Sequence, residues 1–164
     1  MKKIDTQELR QLLDAHGAAL MLYARQWYRA PEDALQEALI DLLRQTPAPH
    51  YPVAWLFTTI RRRALNLARA EQRRAKHQRQ AAAERATWFL SNEDMPFEPG
   101  ELERLLAQLP PLEREIVVAR IWGELSFEQI AALIASSSSA VHRRYQRALE
   151  VLGNMLEGKI DKSR

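Results

Sequence analysis

Positive charge is concentrated on one segment of the sequence, in a pattern that could bind a polyanion. Between residues 61 and 79 the chain has eight lysine and arginine residues and one glutamate. Arg62, Asn66, Arg69 and Arg73 follow one another at intervals of four, three and four residues, which places them on one face of a helix. Such a row of cations suits the phosphate backbone of a nucleic acid, although it is also typical of a solvated surface.

Two aromatic residues, Trp55 and Phe57, lie just before this basic segment. Aromatic rings beside a cationic groove can stack on unpaired bases. Phe57 falls on the apolar stripe of the predicted helix, where an aromatic residue normally belongs to the core. Trp55 lies at the edge of that stripe and is therefore the better candidate for stacking on a base.

A second candidate for binding nucleic acid is the segment from Ser126 to Leu152, which reads as a helix-turn-helix. Ser126 and Gln129 have the spacing of a capping box, and the serine run 136–139 predicts a turn with one capping serine. In the second helix Val141, Tyr145, Ala148, Leu149 and Leu152 should face inward. The residues predicted to contact DNA are Ser138, Ser139, His142, Arg143, Arg144, Gln146 and Arg147.

The chemistry of these side chains gives each a different expected role on DNA. Arg143 could bind guanine, and His142 and Gln146 could form hydrogen bonds with bases. Arg144 or Arg147 could hold phosphates. The alternative is a plain helical hairpin whose basic face is solvated.

The elements that would position these residues are all predicted to be helices. Leu, Ala, Arg, Gln and Glu dominate the composition, and only five glycines occur. Apolar spacing predicts helices over 6–28, from Pro31, from Pro52, over 102–109 and 112–122, and on both sides of the serine turn. The predicted buried stripes include Leu43, Leu67, Phe127 and Ile134.

The predicted fold class is all-α, with two small helical domains joined by a linker. The expected boundaries are 6–80 for the first domain, 81–100 for the linker, 101–155 for the second domain and 156–164 for a tail. The linker assignment rests on a stretch from 91 to 101 that contains two prolines, a glycine and four acidic residues.

Several function classes find no support in the sequence. There are no cysteines, and the four histidines are far apart and lack the spacing of metal ligands. No glycine-rich phosphate loop occurs, so we expect no enzyme activity, no cofactor and no metal. The first ten residues lack the apolar core of a signal peptide, and no apolar run approaches the roughly 20 residues that span a bilayer. These features predict a soluble, cytoplasmic protein.

Five segments, taken in order, resemble the extracytoplasmic-function group of the sigma-70 family of RNA polymerase sigma factors. Glu32 to Ala38 is similar to the family's acidic D-x-x-Q-E segment, and Trp55-Leu56-Phe57 followed by Arg61 to its W-L-Y…A-R-N stretch. The others, in the second half, are Leu109 to Glu115, similar to L-P…R-E; Leu125 to Ala131, similar to L-S-Y-E-E-I-A; and Val141 to Leu149, similar to V-K-S-R-L-x-R-A-L. Arg62, Asn66 and Ala140 depart from the family pattern, as does the serine turn.

The resemblance implies partners and roles for the two predicted domains. The first would bind the β′ coiled-coil of core polymerase through Asp33, Gln36 and Glu37. It would also recognise and open the −10 element, for which the implied residues are Trp55, Arg61, Arg62, Asn66, Arg69 and Arg73. The second domain would read the −35 element and bind the polymerase β flap, and an anti-sigma factor is a possible further partner.

Two other functions are compatible with the motifs. The first is a DNA-binding regulator that shares only the helix-turn-helix. It would not need a polymerase-binding helix, so a functional role for the segment 32–43 would distinguish a sigma factor from such a regulator. A helical adaptor that binds another protein would show no salt-dependent affinity for DNA.

Overall fold

The computed structural model describes residues 1–75 and 100–162, and all the regular structure in these ranges is helical. The chain divides into two compact units, residues 1–87 and 88–164. The predicted all-α fold class with two small domains is therefore confirmed. The predicted linker, apart from Gly100, lies outside the described residues, as do the end of the basic segment and the last two residues of the tail.

The first unit contains helices α1 (Thr6–Ala24), α2 (Pro31–Arg44) and α3 (Pro52–Ala75), each of which packs against the other two. The helix starts follow from local chemistry. The Asp5 side chain accepts a hydrogen bond from the Glu8 amide at 2.8 Å, and the Glu8 carboxylate accepts one from the Asp5 amide at 3.1 Å. Pro31 and Pro52 occupy first helical positions, where the missing amide hydrogen leaves no helical hydrogen bond unmade.

The core of the first unit is built around aromatic and leucine side chains from all three helices. The Tyr23 ring lies 4.6 Å from the Phe57 ring, which joins α1 to α3. Leu20, Leu42 and Ile60 are also fully buried. Phe57 is fully buried and therefore belongs to the core, as its position on the apolar stripe predicts. Truncating a buried phenylalanine of this kind typically costs about 3–5 kcal/mol.

Helix α1 ends earlier than its apolar spacing predicts, at Ala24 rather than residue 28. The hydrogen bonds tighten there, because the Gln26 and Trp27 amides donate to carbonyls three residues back. Trp27 still packs against Tyr23, with ring centroids 4.8 Å apart. Its apolar spacing therefore marks a side chain that packs on the core and is half-buried, although the regular α-helix has already ended.

Two leucines predicted to be buried are exposed. Leu43 is 40% exposed, because Ala34, Ala38 and Leu42 set the inner face of α2 and Leu43 lies on the opposite side. Leu67 is 52% exposed. The buried residues of α3 end at Ala64. The rest of this 24-residue helix therefore extends past the cover of α1 and α2.

The second unit contains helices α4 (Glu101–Ala107), α5 (Pro111–Val117), α6 (Phe127–Ile134) and α7 (Ser138–Lys162). A π-helical turn over Val118–Trp122 continues α5, where the sequence predicts ordinary helix to residue 122. The Gly123 amide closes this wider turn on the Val118 carbonyl at 3.1 Å. Helix α7 packs against α4, α5 and α6 and is the centre of the unit.

The core of the second unit differs from the prediction on α6 and α7. On α7 Val141 and Ala148 are buried, whereas Tyr145, Leu149 and Leu152 are only half-buried. Phe127 and Ile134 are only half-buried, and Leu133 of the same helix is buried in their place. The reason for Phe127 is its position in the first turn of α6, where its ring lies against side chains of α7 and the π-helical turn rather than beneath them. The fully buried side chains of the unit are Leu106, Leu109, Ile116, Val117, Val118, Ala119, Ile130, Val141 and Ala148.

The turn between α6 and α7 depends on a strained residue, Ala135. Its φ of 53° lies in the left-handed region, which residues with a Cβ adopt at a cost of roughly 1–2 kcal/mol. The conformation lets the Ala135 and Ser136 amides both donate to the Ala131 carbonyl, which ends α6. The sharp turn therefore comes from a residue that glycine would replace with less strain.

We expect Ala135→Gly to raise the free energy of unfolding of the second unit by about 0.5–1 kcal/mol, since relief of strain exceeds the added entropy of the unfolded chain. Urea denaturation followed by amide NMR signals from α6 measures the change. Ala132→Gly is the matched control, because Ala132 is exposed within the same helix and its replacement should cost about 1 kcal/mol. A loss of stability in both variants would show that Ala135 is not strained.

Candidate nucleic-acid interface

One face of α3 carries the cations that the sequence singled out. Arg62, Asn66, Arg69 and Arg73 are all exposed, and their intervals place them on one side of the helix. Trp55, seven residues before Arg62, lies on the same side and is half-buried. We call these five residues the α3 stripe. Within it the Arg73 Nε donates to the Arg69 carbonyl at 3.4 Å.

The α3 stripe has the composition of a surface for single-stranded nucleic acid. Guanidinium groups can follow the phosphates, and the half-buried Trp55 side chain keeps part of its surface exposed for stacking on a base. Arg61 lies apart from the stripe and is half-buried. The structure therefore groups Trp55, Arg62, Asn66, Arg69 and Arg73 together and leaves Arg61 outside the group.

The outer face of α2 combines polar and apolar side chains. Asp33, Gln36 and Glu37, which the family resemblance assigns to polymerase binding, are exposed. Ile40, 42% exposed, and Leu43 lie four and seven residues after Gln36 and therefore on the same side of the helix. We call Gln36, Ile40 and Leu43 the α2 stripe. Large apolar side chains presented to solvent beside an amide are typical of a protein-binding surface.

Sequence reasoning missed Ile40 and misplaced Leu43, although one signal was present. The pattern of α2 has more apolar residues than one helix face can bury, with Leu35, Ala38, Leu39 and Leu42 already claiming that face. A surplus of large apolar residues on the other side is itself an indication of a partner.

An ion-pair cluster ties α2 to α3 beside these two stripes. The Arg63 guanidinium donates from Nη1 to the Glu37 carboxylate and from Nη2 to the Asp41 carboxylate. Nearby, the Tyr28 hydroxyl donates to the Ile60 carbonyl at 2.9 Å, and burial raises the pKa of Tyr28 to about 12. Sequence reasoning counted Arg63 only as part of the basic segment, because the spacing along one helix does not show what the neighbouring helix brings to it.

In the second unit, α6, the turn and α7 have the local geometry of a helix-turn-helix. The Ser126 hydroxyl accepts from the Gln129 amide at 3.1 Å and the Gln129 side chain accepts from the Ser126 amide at 2.9 Å, so the predicted capping box is confirmed. The Ser137 hydroxyl accepts from the Ala140 amide at 3.2 Å. One serine of the run therefore caps α7, as predicted.

The exposed face of α7 carries most of the residues predicted to contact DNA. Ser139, Arg143 and Gln146 are exposed at intervals of four and three residues, opposite the buried Val141 and Ala148. We call Ser139, Arg143 and Gln146 the α7 stripe. His142 and Arg147 are exposed on either side of it, and Ser138 is half-buried at the start of the helix.

Two of these side chains have contacts within the unit. The His142 ring lies edge-to-face on Phe127 at 5.1 Å, and the Arg120 guanidinium lies 4.5 Å from the centre of the Phe127 ring. Arg144 forms an ion pair with Glu113 of α5 at 2.6 Å, and the Glu113 side chain is only 15% exposed. Arg144 therefore connects α7 to α5, whereas Arg147 is exposed. The expected contact of either arginine with a phosphate stays a prediction.

Within residues 1–75 and 100–162 no group of His, Cys, Asp and Glu side chains is arranged to hold a metal ion. None of the helices described is both long enough and apolar enough to cross a bilayer.

Both units match known protein families. Residues 12–74 match the family described as Sigma-70 region 2, and residues 100–152 match Sigma-70, region 4; together they cover well over half of the chain. No curated protein sequence matches significantly.

Two solved structures are similar to the whole chain. The sigma factor RpoE of Bartonella quintana, in complex with the anti-sigma factor NepR, has a TM-score of 0.69 at 19% identity, covering 93% of this chain and 98% of that one. CnrH, in complex with the cytosolic domain of CnrY, has a TM-score of 0.56 at 22% identity, covering 94% of this chain and 90% of that one. At these identities the structural likeness concerns the fold.

Proposed function

The chain belongs to the sigma-70 family, in its extracytoplasmic-function group, and we propose that its two units divide the work of a sigma factor between them. As a sigma factor it directs RNA polymerase core to promoters during transcription initiation. The predicted domain 6–80 in the first unit would bind core polymerase and open the −10 region. The predicted domain 101–155 in the second unit would bind the −35 region and the polymerase β flap. Family membership gives no indication of an enzyme, and we propose that the chain acts in the cytoplasm through binding alone.

The observation that carries this proposal is the separation of three differently built surfaces. The α3 stripe is cationic with an aromatic residue, the α2 stripe is apolar with an amide beside acidic residues, and the α7 stripe carries hydrogen-bonding side chains early on a helix. These compositions suit a single DNA strand, a protein and the edges of base pairs respectively.

The two alternative functions fit less well. A DNA-binding regulator that shares only the helix-turn-helix would not need the first unit, which matches region 2 over residues 12–74. A helical adaptor without DNA would not need an exposed row of cations on α3. RpoE is described in complex with an anti-sigma factor. We propose that an anti-sigma factor controls this chain too.

Opening DNA costs the stacking and pairing energy of each base pair that is separated. The α3 stripe would offset this cost by capturing the freed strand, with Trp55 against an unstacked base and the arginines along the phosphates. At Arg62 and Asn66, where the chain departs from the family pattern, the stripe has a cation and an amide. We expect these departures to change which bases are preferred rather than whether a strand is bound.

The α2 stripe should carry the contact with polymerase. We expect the double substitution Gln36→Ala, Ile40→Ala to weaken binding of core polymerase at least roughly tenfold, since truncating central interface residues typically costs 1–2 kcal/mol or more. Biolayer interferometry with immobilised core polymerase measures the affinity, and transcription from a library of random upstream sequences measures the function. Gln11→Ala on the exposed side of α1 is the control. Wild-type affinity in the folded double variant would contradict the assignment.

The α3 stripe should determine affinity for a single strand. Arg69→Gln is expected to lower affinity for a fluorescein-labelled single-stranded oligonucleotide and to reduce the slope of log affinity against log salt by about 0.7. Arg10→Gln, an exposed arginine on α1, makes the same charge change away from the stripe. If both variants lose affinity equally, the total charge of the chain explains the binding and the stripe does not.

Arg143 should read a base, whereas Arg147 should hold a phosphate. On duplexes selected by the wild-type chain from a random library, Arg143→Ala is expected to relax preference at one position by about 1–3 kcal/mol. Arg147→Ala should weaken all duplexes alike and reduce the salt slope by about one. Gel-shift titrations of single-base variants at several salt concentrations separate the two effects. Uniform weakening by Arg143→Ala would mean that Arg143 grips the backbone.

A further inference from the structure

Arg63 lies between the surfaces assigned above and belongs to neither. Its side chain is 33% exposed, and its two terminal nitrogens donate to carboxylates four residues apart on α2. Glu37 and Asp41 lie one turn apart on α2, and the planar guanidinium of Arg63 binds both carboxylates at once. The pairing therefore holds Arg63 toward α2, away from the adjacent α3 stripe.

Glu37 is the most exposed residue of the three-residue cluster that it forms with Arg63 and Asp41. Its side chain is 66% exposed, whereas that of Asp41 is 29% exposed. Glu37 also precedes Ile40 of the α2 stripe by three residues, and side chains at that spacing are neighbours on a helix surface. A protein seated on that stripe can therefore bring a cation to the same carboxylate that Arg63 binds. Because the Glu37 carboxylate is largely exposed, its ion pair with Arg63 contributes little to stability, typically less than about 1 kcal/mol, so exchanging the cation at Glu37 for another costs little.

Arg63 is also within reach of the DNA-facing side of α3. It precedes Asn66 by three residues, and side chains at that spacing are neighbours on a helix surface, with Cβ atoms about 5–6 Å apart. The three methylene groups of the arginine stem let the guanidinium turn from α2 toward a phosphate lying along the α3 stripe.

We propose that Arg63 couples the polymerase-binding surface to the DNA-binding surface of the first unit. In the free protein Glu37 and Asp41 hold its charge. When polymerase binds the α2 stripe and takes over Glu37, Arg63 turns to the α3 stripe and adds one phosphate contact. This coupling rests on the proposed functions of the two stripes. By linkage, DNA bound to α3 must then strengthen the binding of polymerase to α2 by the same factor.

The coupling can be tested without polymerase by removing the two carboxylates that hold Arg63. The variant Glu37→Gln, Asp41→Asn should bind a fluorescein-labelled single-stranded oligonucleotide roughly threefold or more tightly than the control Glu32→Gln, Asp33→Asn, with a salt slope steeper by about 0.7. The control removes the same charge from exposed positions in the first turn of the same helix. Fluorescence anisotropy at three salt concentrations gives both quantities.

A second pair of variants assigns the gain to Arg63 itself. When Arg63→Gln is added to both double variants, the difference between them should disappear. Equal affinity of the two double variants, or a difference that persists without Arg63, would overturn the proposal. Thermal melts followed by circular dichroism check folding. If the double variant is unfolded, Glu37→Gln against Glu32→Gln makes the same comparison with the Asp41 pair retained.

The Arg69→Gln variant separates this proposal from the function on which it rests. If Arg69→Gln weakens single-strand binding and the two double variants have equal affinity, the coupling through Arg63 is wrong, but the role of the α3 stripe in binding a single strand is supported. If Arg69→Gln has no specific effect, the α3 stripe itself is wrong.

Discussion

Helix α3 must satisfy two environments at once, and the organisation of the first unit follows from that requirement. Phe57 and Ile60 need cover from water, whereas Arg62 and Arg69 would lose far too much hydration if they were buried without partners. Helices α1 and α2 therefore pack against each other and against only part of α3. Beyond Ala64 the helix is mostly exposed, and it is stabilised by residues with high helix propensity, mainly alanine, arginine and leucine.

This arrangement explains which parts of the fold the sequence predicts well. Helical periodicity and caps identified every described helix, because a 3.6-residue apolar repeat, proline at a first turn and the Ser126–Gln129 box are local signals. The periodicity failed at Leu43 and Leu67 for a tertiary reason. It reports which side of a helix is apolar, but not how wide or how long the neighbouring helices are, and the bundle covers neither residue.

The candidate site residues likewise include features that the sequence predicts and features that depend on tertiary packing. Exposure of Gln36, Arg69 and Arg143 was predictable, since the buried positions of each helix leave the others to face outward. The partners of Arg63 and Arg144 were not, because Arg62 and Arg63 differ by only about 100° around one helix, and only the placement of α2 gives one of them two carboxylates. Arg144 similarly lies one position from Arg143, yet meets Glu113 on α5.

The ion pair between Arg144 and Glu113 has an evolutionary consequence. Together with the buried Val141 and Ala148 it secures α7 from the inner side, so the fold places few demands on Ser139, Arg143 and Gln146. Substitutions at such exposed helix positions usually alter stability by less than about 0.5 kcal/mol. After gene duplication, copies of this domain can therefore diverge at these three positions while the helix that carries them stays folded and correctly placed. Since these positions are the ones proposed to read promoter bases, such substitutions would change promoter preference without destabilising the domain.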